Sequence, residues 1–112
     1  RIQDTVADNA SCGVFVLGDS KIDPRELDLP NLRMRVFKNG EPLSEGLGSA
    51  VQGNPLTAVA WLANTLGAFG IPFKAGEIIL SGSLVPLEPA RAGDHFSLTI
   101  DGLGSARVSF CA

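Results

Sequence analysis

The sequence is poor in the residues that most often announce a function. It holds one histidine, His95, and two cysteines, Cys12 and Cys111, near opposite ends with no CxxC pair. A zinc cluster or a disulfide framework needs several ligands at short spacing, so both cysteines read as free thiols suited to a reducing cytoplasm. Basic clusters are missing too. Twelve acids outweigh nine bases for a net charge of −3, and the bases are scattered singly. That leaves no cationic face for a phosphate backbone and excludes nucleic acid as a natural partner. The longest nearly unbroken apolar stretch, residues 56–69, is interrupted by Thr57, Asn64 and Thr65. It falls short of the roughly 20 residues a membrane-crossing helix needs. Neither GxGxxG nor a Walker lysine motif is present, and the two GLGSA stretches, from Gly46 and from Gly102, read as turns.

What remains is the composition of a soluble globular unit: 45% hydrophobic, 19% charged, 13 glycines. At 112 residues one domain, 1–112, is expected, with a modest core. The chain opens at Arg1 with neither a methionine nor a charged-then-apolar leader, so a preceding segment is expected.

Periodicity places the elements. Residues 14–17, a short β-branched run closed by Gly18 and Asp19, predict a buried strand. The acidic, proline-containing residues 19–30 predict a solvated connection. Over residues 32–38, Leu32, Met34 and Val36 alternate with Arg33 and Arg35, and Asn39-Gly40 predicts a type I′ hairpin turn. The return strand contains Pro42, which cannot donate to a ladder and so predicts an edge position. Asn54-Pro55 predicts a capped helix start, and Gly70 with Pro72 a stop, giving one main helix over about 55–69 that packs on a sheet. Its apolar face comprises Leu56, Val59, Ala60, Ala63, Leu66 and Phe69, widened by Trp61 and Leu62. Further strands are expected at 77–80 and around Phe96–Ile100 and Ala106–Phe110. KAGE from Lys74 and RAGD from Arg91 share an Ala-Gly-acid entry, read as a reused turn rather than an internal repeat. One helix among about six strands makes a β-rich α+β domain.

Chemistry is less legible. A Ser/His/Asp triad would have to form around His95, at the head of an alternating strand, where a surface histidine is the simpler reading. Asp4, Asp8, Asn9 and Ser11 lie within eight residues and could hold a substrate hydroxyl or a water. Asp, Asn and Ser are equally the usual capping residues, and spacing does not choose. Ser81, Gly82 and Ser83 follow an apolar run and could present hydroxyls and backbone N–H groups to an anion, or simply make a turn. Cys12 lacks a nearby base and reads as a small packed residue.

Residues 4–19, DTVADNASCGVFVLGD, resemble the signature segment of 2-hydroxypenta-2,4-dienoate hydratases of the fumarylacetoacetate hydrolase superfamily. Residues 53–89, the AGDHF stretch and the closing GLGSARVSF are similar to the same enzymes. The resemblance covers almost the whole chain and implies the C-terminal portion of a protein more than twice as long. It implies a β-rich mixed sheet or roll. It also implies a lyase that ketonises the dienol with protonation at C5, then adds water at C4 to give 4-hydroxy-2-oxopentanoate. The family's cation, Mg²⁺ or Mn²⁺, is held by a Glu-x-Glu pair and a further acid upstream of Arg1, so no metal ligand is carried onto this chain. The lysine and aspartate of proton transfer also lie upstream. What the resemblance transfers is Ser11, as a catalytic residue bonding substrate or the added water, and Ser81, Gly82 and Ser83 as a loop lining the substrate carboxylate.

It further implies a small 2-oxo or 2-hydroxy acid substrate, a homo-oligomer and a possible complex with the sister decarboxylase. That sister, 4-oxalocrotonate (2-oxo-3-hexenedioate) decarboxylase, is the nearest alternative. It tends to read NASS where this chain has Asn9-Ala10-Ser11-Cys12, and Thr-Gly-Gly where this chain has Ser81-Gly82-Ser83. From a different class, the chain alone would be a non-catalytic β-rich module, since metal, acid and base all belong to the upstream part.

Overall fold

The structure, a computed structural model, describes residues 13–111. Its frame is a four-stranded antiparallel sheet of β1 (Arg33–Lys38), β2 (Glu41–Leu47), β3 (His95–Ile100) and β4 (Gly104–Ser109), in the order β2-β1-β3-β4. One α-helix, α1 (Pro55–Gly67), lies between β2 and β3 in the chain. The α+β class with one main helix is therefore as read.

The hairpin forms where local chemistry demands it. Asn39 and Gly40 both take positive φ, 54° and 84°, as the two central residues of a type I′ turn must. Pro42 sits on β2, an outer strand, and the register shifts beside it between Val36 and Phe37. A residue that cannot donate to the ladder is tolerated at an edge and a bulge.

The Ala-Gly-acid turns are two copies of one device. Glu77 and Asp94 each donate a backbone N–H to the carbonyl three residues earlier, at 3.2 and 3.1 Å. Each carboxylate in turn accepts from the first residue of its turn, Lys74 N–H at 3.1 Å and Arg91 N–H at 2.9 Å. The central glycines, Gly76 and Gly93, have φ of 89° and 91°, which a side chain would resist.

Partners directly opposite in a ladder share a face. The register Met34↔Ile100, Val36↔Leu98 and Leu98↔Ala106 therefore gathers an apolar face, joined by Phe96 and Val108. Arg35, Ser97, Thr99 and Arg107 occupy the other face. There Arg35 meets Asp101 at 2.9 Å and Glu45 at 4.0 Å, exposed pairs that contribute little.

Two strand expectations are corrected. Residues 14–17 and 77–80 lie outside the ladder, and Val14, Phe15, Ile78 and Leu80 are exposed. β-propensity describes fit to a sheet surface, and it makes a strand only where a neighbouring strand is met in register. The described residues thus contain four strands where about six were expected. Residues 19–30 remain surface, shaped by two 3₁₀ turns, Pro24–Glu26 and Leu29–Asn31.

The helix starts as read: Pro55 is its first residue and the Asn54 side chain accepts from Leu56 N–H at 3.0 Å. It ends two residues early, at Gly67, because the last turn tightens and Phe69 N–H reaches back only three residues to Leu66. Its inward face is Ala58, Val59, Leu62, Ala63 and Leu66, whereas Leu56, Ala60, Trp61 and Phe69 are exposed. α1 packs against the Leu29–Asn31 turn rather than the body of the sheet, which corrects the expected helix-on-sheet packing. The physical reason is that β2 leads into α1 through the buried turn residues Gly48 and Val51, which set the helix beside the Leu29–Asn31 turn. Replacing Asn54 with alanine removes the N-cap acceptor and is expected to lower stability by about 1 kcal/mol. Thermal unfolding of Asn54→Ala beside the parent chain checks this.

Candidate functional site

The loop at Ser81, Gly82 and Ser83 is held from two sides. Gly82, with φ of 130°, lies over Val51: a Cβ there would come 3.5 Å from a Val51 methyl, and Val51 is one of three buried apolar residues, with Met34 and Ala58, among the described residues. On the other side the Leu84 carbonyl presses so closely on Gly46 of β2 that a Cβ at Gly46 would collide with it. The loop is thereby anchored to the sheet edge and to the small core.

The two serines differ chemically. Ser83 Oγ donates to the Val85 carbonyl at 2.5 Å and accepts from Val85 N–H at 3.3 Å, so its one proton is engaged inside the turn. Half-buried Ser81 makes no hydrogen bond through its hydroxyl among the described residues and is available to donate. Ser83 is thus a turn residue, while the Ser81 hydroxyl stays uncommitted among the described residues. Ser11 lies outside the described residues, as do Asp4, Asp8, Asn9 and Cys12. Cys111 is an exposed free thiol.

His95 stands exposed at the head of β3, its Nδ1 2.6 Å from Ser109 Oγ. Among the described residues no triad is completed around it, because the carboxylate of Asp94 is engaged elsewhere. Asp94 accepts from the Asn39 side-chain amide at 3.1 Å and from Arg91 N–H at 2.9 Å, and lies 3.6 Å from Lys38 Nζ. Asn39 also accepts from His95 N–H at 2.8 Å. This clip ties the β1–β2 hairpin to the turn before β3. The sequence reading missed it, although the Ala-Gly-acid turn marked Asp94 as one participant. The Asn39 amide, then the Arg91 N–H and the Lys38 ammonium, hold the Asp94 carboxyl below its ordinary value of 3.8.

Among the described residues no three His, Cys, Asp or Glu side chains converge as a cation site requires, and no helix is long and apolar enough to cross a membrane.

Residues 1–110 match the family described as fumarylacetoacetate (FAA) hydrolase C-terminal. The chain belongs to that family. Within it, the chain is 66% identical over 110 residues to a 2-hydroxyhexa-2,4-dienoate hydratase of Comamonas testosteroni, covering 98% of this chain and 42% of the relative. It is 52% identical over 110 residues to a 2-keto-4-pentenoate hydratase of Paraburkholderia xenovorans (strain LB400), covering 98% and 41%. Among solved FAA hydrolase relatives, the 4-oxalocrotonate decarboxylase from Pseudomonas putida G7 complexed with magnesium and adipate superposes with a TM-score of 0.89. It shares 40% identity over 95% of this chain and 40% of its own. Its complex with calcium and acetate gives a TM-score of 0.86 at 41% identity. The chain thus spans about two fifths of the length of these relatives.

In this FAA hydrolase chain, Gly46→Ala is expected to force the Leu84 carbonyl away and destabilise the fold by about 1–3 kcal/mol, measurable by chemical denaturation. Asp94 titrates lower folded than unfolded, so its charge stabilises above about pH 4, and that contribution fades as pH falls through the folded value. Asp94→Asn should therefore flatten the fall in Tm between about pH 5 and pH 3 relative to the parent.

Proposed function

We propose that this chain is the substrate-facing C-terminal part of a 2-hydroxypenta-2,4-dienoate hydratase, a hydro-lyase of aromatic-compound breakdown that forms 4-hydroxy-2-oxopentanoate. The observation carrying this reading is the 66% identity over 110 residues with the Comamonas testosteroni hydratase. The decarboxylase structures, at 40% and 41%, favour as the second reading decarboxylation of 2-oxo-3-hexenedioate.

The substrate is a small acid whose carboxylate only accepts hydrogen bonds. Ser81, with an uncommitted hydroxyl, is the donor suited to it, and Gly82 leaves its backbone open to close approach. Ser83 serves from behind: its hydroxyl fixes the turn at Val85 and so holds the loop in shape. Ser11 is assigned the catalytic contact, bonding the substrate or the added water and positioning it for attack.

The decarboxylase structures carry calcium or magnesium, which brings a divalent cation into the reading, with magnesium or manganese as the working ion. When bound, such a cation supplies charge stabilisation to the enolate that develops as water adds. The described residues do not fit a cation, since no ligand cluster forms among them, and their part is binding and orientation. The reading carries with it a cytoplasmic homo-oligomer that can associate with the sister decarboxylase.

A chimera in which residues 1–110 replace the matching segment of the Comamonas testosteroni hydratase tests this. Supplied with Mg²⁺, it is expected to consume 2-hydroxypenta-2,4-dienoate and to leave 2-oxo-3-hexenedioate intact. The reverse preference sinks the reading. In the same chimera Ser11→Ala should lower kcat/KM on the order of hundredfold. Ser81→Ala should mainly raise KM, by about tenfold. The 112-residue chain alone is expected to show no turnover with either substrate.

A further inference from the structure

We propose that the outer side of α1, continued by Phe69 and Ile71, is the seat of the upstream part of a full-length chain of this family. No charged residue stands between Glu45 and Lys74, so α1 has none on any side. A helix that borders water carries charged and polar residues on its wet side, whereas one that is apolar all round is a buried helix. At about 100° per residue, the exposed positions Leu56, Thr57, Ala60, Trp61, Asn64 and Gly67 fall in one continuous arc. Leu56 and Trp61, the latter 60% exposed, stand at its two margins, and the smaller side chains between them leave a shallow trough.

The end of the helix fixes how this patch continues. Gly70, with φ of 74°, reverses the chain. Its N–H donates to the Gly67 carbonyl at 3.0 Å, and Ile71 N–H donates to the Leu66 carbonyl at 3.0 Å. That closed turn holds Phe69 78% exposed, with Ile71 exposed beyond it. Thr65 Oγ1 donates to the Trp61 carbonyl at 2.8 Å, so its proton is engaged within the helix. The Asn64 side-chain amide, in the middle of the exposed arc, has no hydrogen-bond partner among the described residues. The surface that fits here is therefore apolar and uncharged, with a hydrogen-bonding group opposite Asn64.

Length and burial assign that surface to the same fold rather than to a second copy. This chain takes up 42% of the Comamonas testosteroni hydratase and 40% of the magnesium-bound decarboxylase, so the larger part of such a chain lies outside the matched segment. A self-sufficient domain that pairs with its own copy still keeps a core of its own. Here no large side chain is fully buried among the described residues, and Ile78 and Leu80, beyond the patch, are exposed as well. The shortage lies in the core itself, which a copy meeting one helix face does not supply. The inference rests on the family, which the hydratases and the decarboxylase share, and not on the substrate.

The test uses the full-length chimera that carries residues 1–110 in the Comamonas testosteroni hydratase. Neither readout needs substrate, so a failed turnover assay leaves the proposal standing. Hydroxyl-radical footprinting should modify Trp61 and Phe69 on the order of tenfold more slowly in the unsubstituted chimera than in the 112-residue chain. Equal rates overturn the proposal, and protection that is lost on dilution overturns it in favour of a second copy. Photoactivated p-benzoylphenylalanine in place of Trp61 should join that position to residues upstream of the exchanged segment, within one polypeptide. An adduct of doubled mass, or none, overturns the proposal, and the footprinting decides alone where the substituted chimera fails to fold.

Discussion

Everything described here hangs on the pairing of β1 with β3. The two strands come from distant parts of the chain, and side-chain contacts at the ends of their ladder join residues 56 and 66 apart, His95 with Asn39 and Arg35 with Asp101. Closing so long a loop costs entropy before any contact forms, though the cost grows only slowly with length. Once closed, the pairing fixes the rest. β2 follows β1 through a tight hairpin, β4 follows β3 through another, and the segment carrying α1 and the Ser81–Ser83 loop is held at both ends. The Asn39–Asp94 clip seals this arrangement at the hairpin end, where a neutral amide both donates to a carboxylate and accepts from the first N–H of β3.

The enclosed core is small. Met34, Val51 and Ala58 are its buried apolar members, while Leu56, Trp61, Phe69 and Ile71 leave much of their surface in water. Such residues each contribute roughly 1.5–3 kcal/mol when fully buried, so a sequence that places them all on one chain is patterned for more burial than the described residues achieve among themselves. This agrees with a chain that spans about two fifths of its relatives.

Legibility followed the range of the physics. The Asn39-Gly40 turn, the Asn54-Pro55 helix start and both Ala-Gly-acid turns were readable because each is settled within four or five residues, by φ preference and a side chain capping its own neighbourhood. Pro42 was readable as an edge residue because its missing donor matters in any sheet. Residues 14–17 and 77–80 were misread because a strand is a property of two segments, and the partner is not written in either one. The helix packing failed for the same reason: the apolar stripe was visible in sequence, but not that it would meet the Leu29–Asn31 turn.

For the site, the limit was different. Spacing could not separate a binding loop from an ordinary turn at Ser81–Ser83, because the two serines, two positions apart, differ in their hydrogen bonding. Ser83 spends its proton on Val85 and is a turn residue by chemistry, whereas Ser81, two positions earlier, keeps its own. A loop that binds an acceptor-only ligand gains from this division. One hydroxyl fixed internally lowers the conformational freedom of the turn, and the other then meets the ligand without that entropy being lost a second time. Gly46 and Val51 extend the same logic outward, since the backbone contact at Leu84 and the methyl contact under Gly82 leave the loop little room to move. In the proposed binding role, Ser83, Gly46 and Val51 therefore matter as much as Ser81, because they hold the loop that presents its hydroxyl.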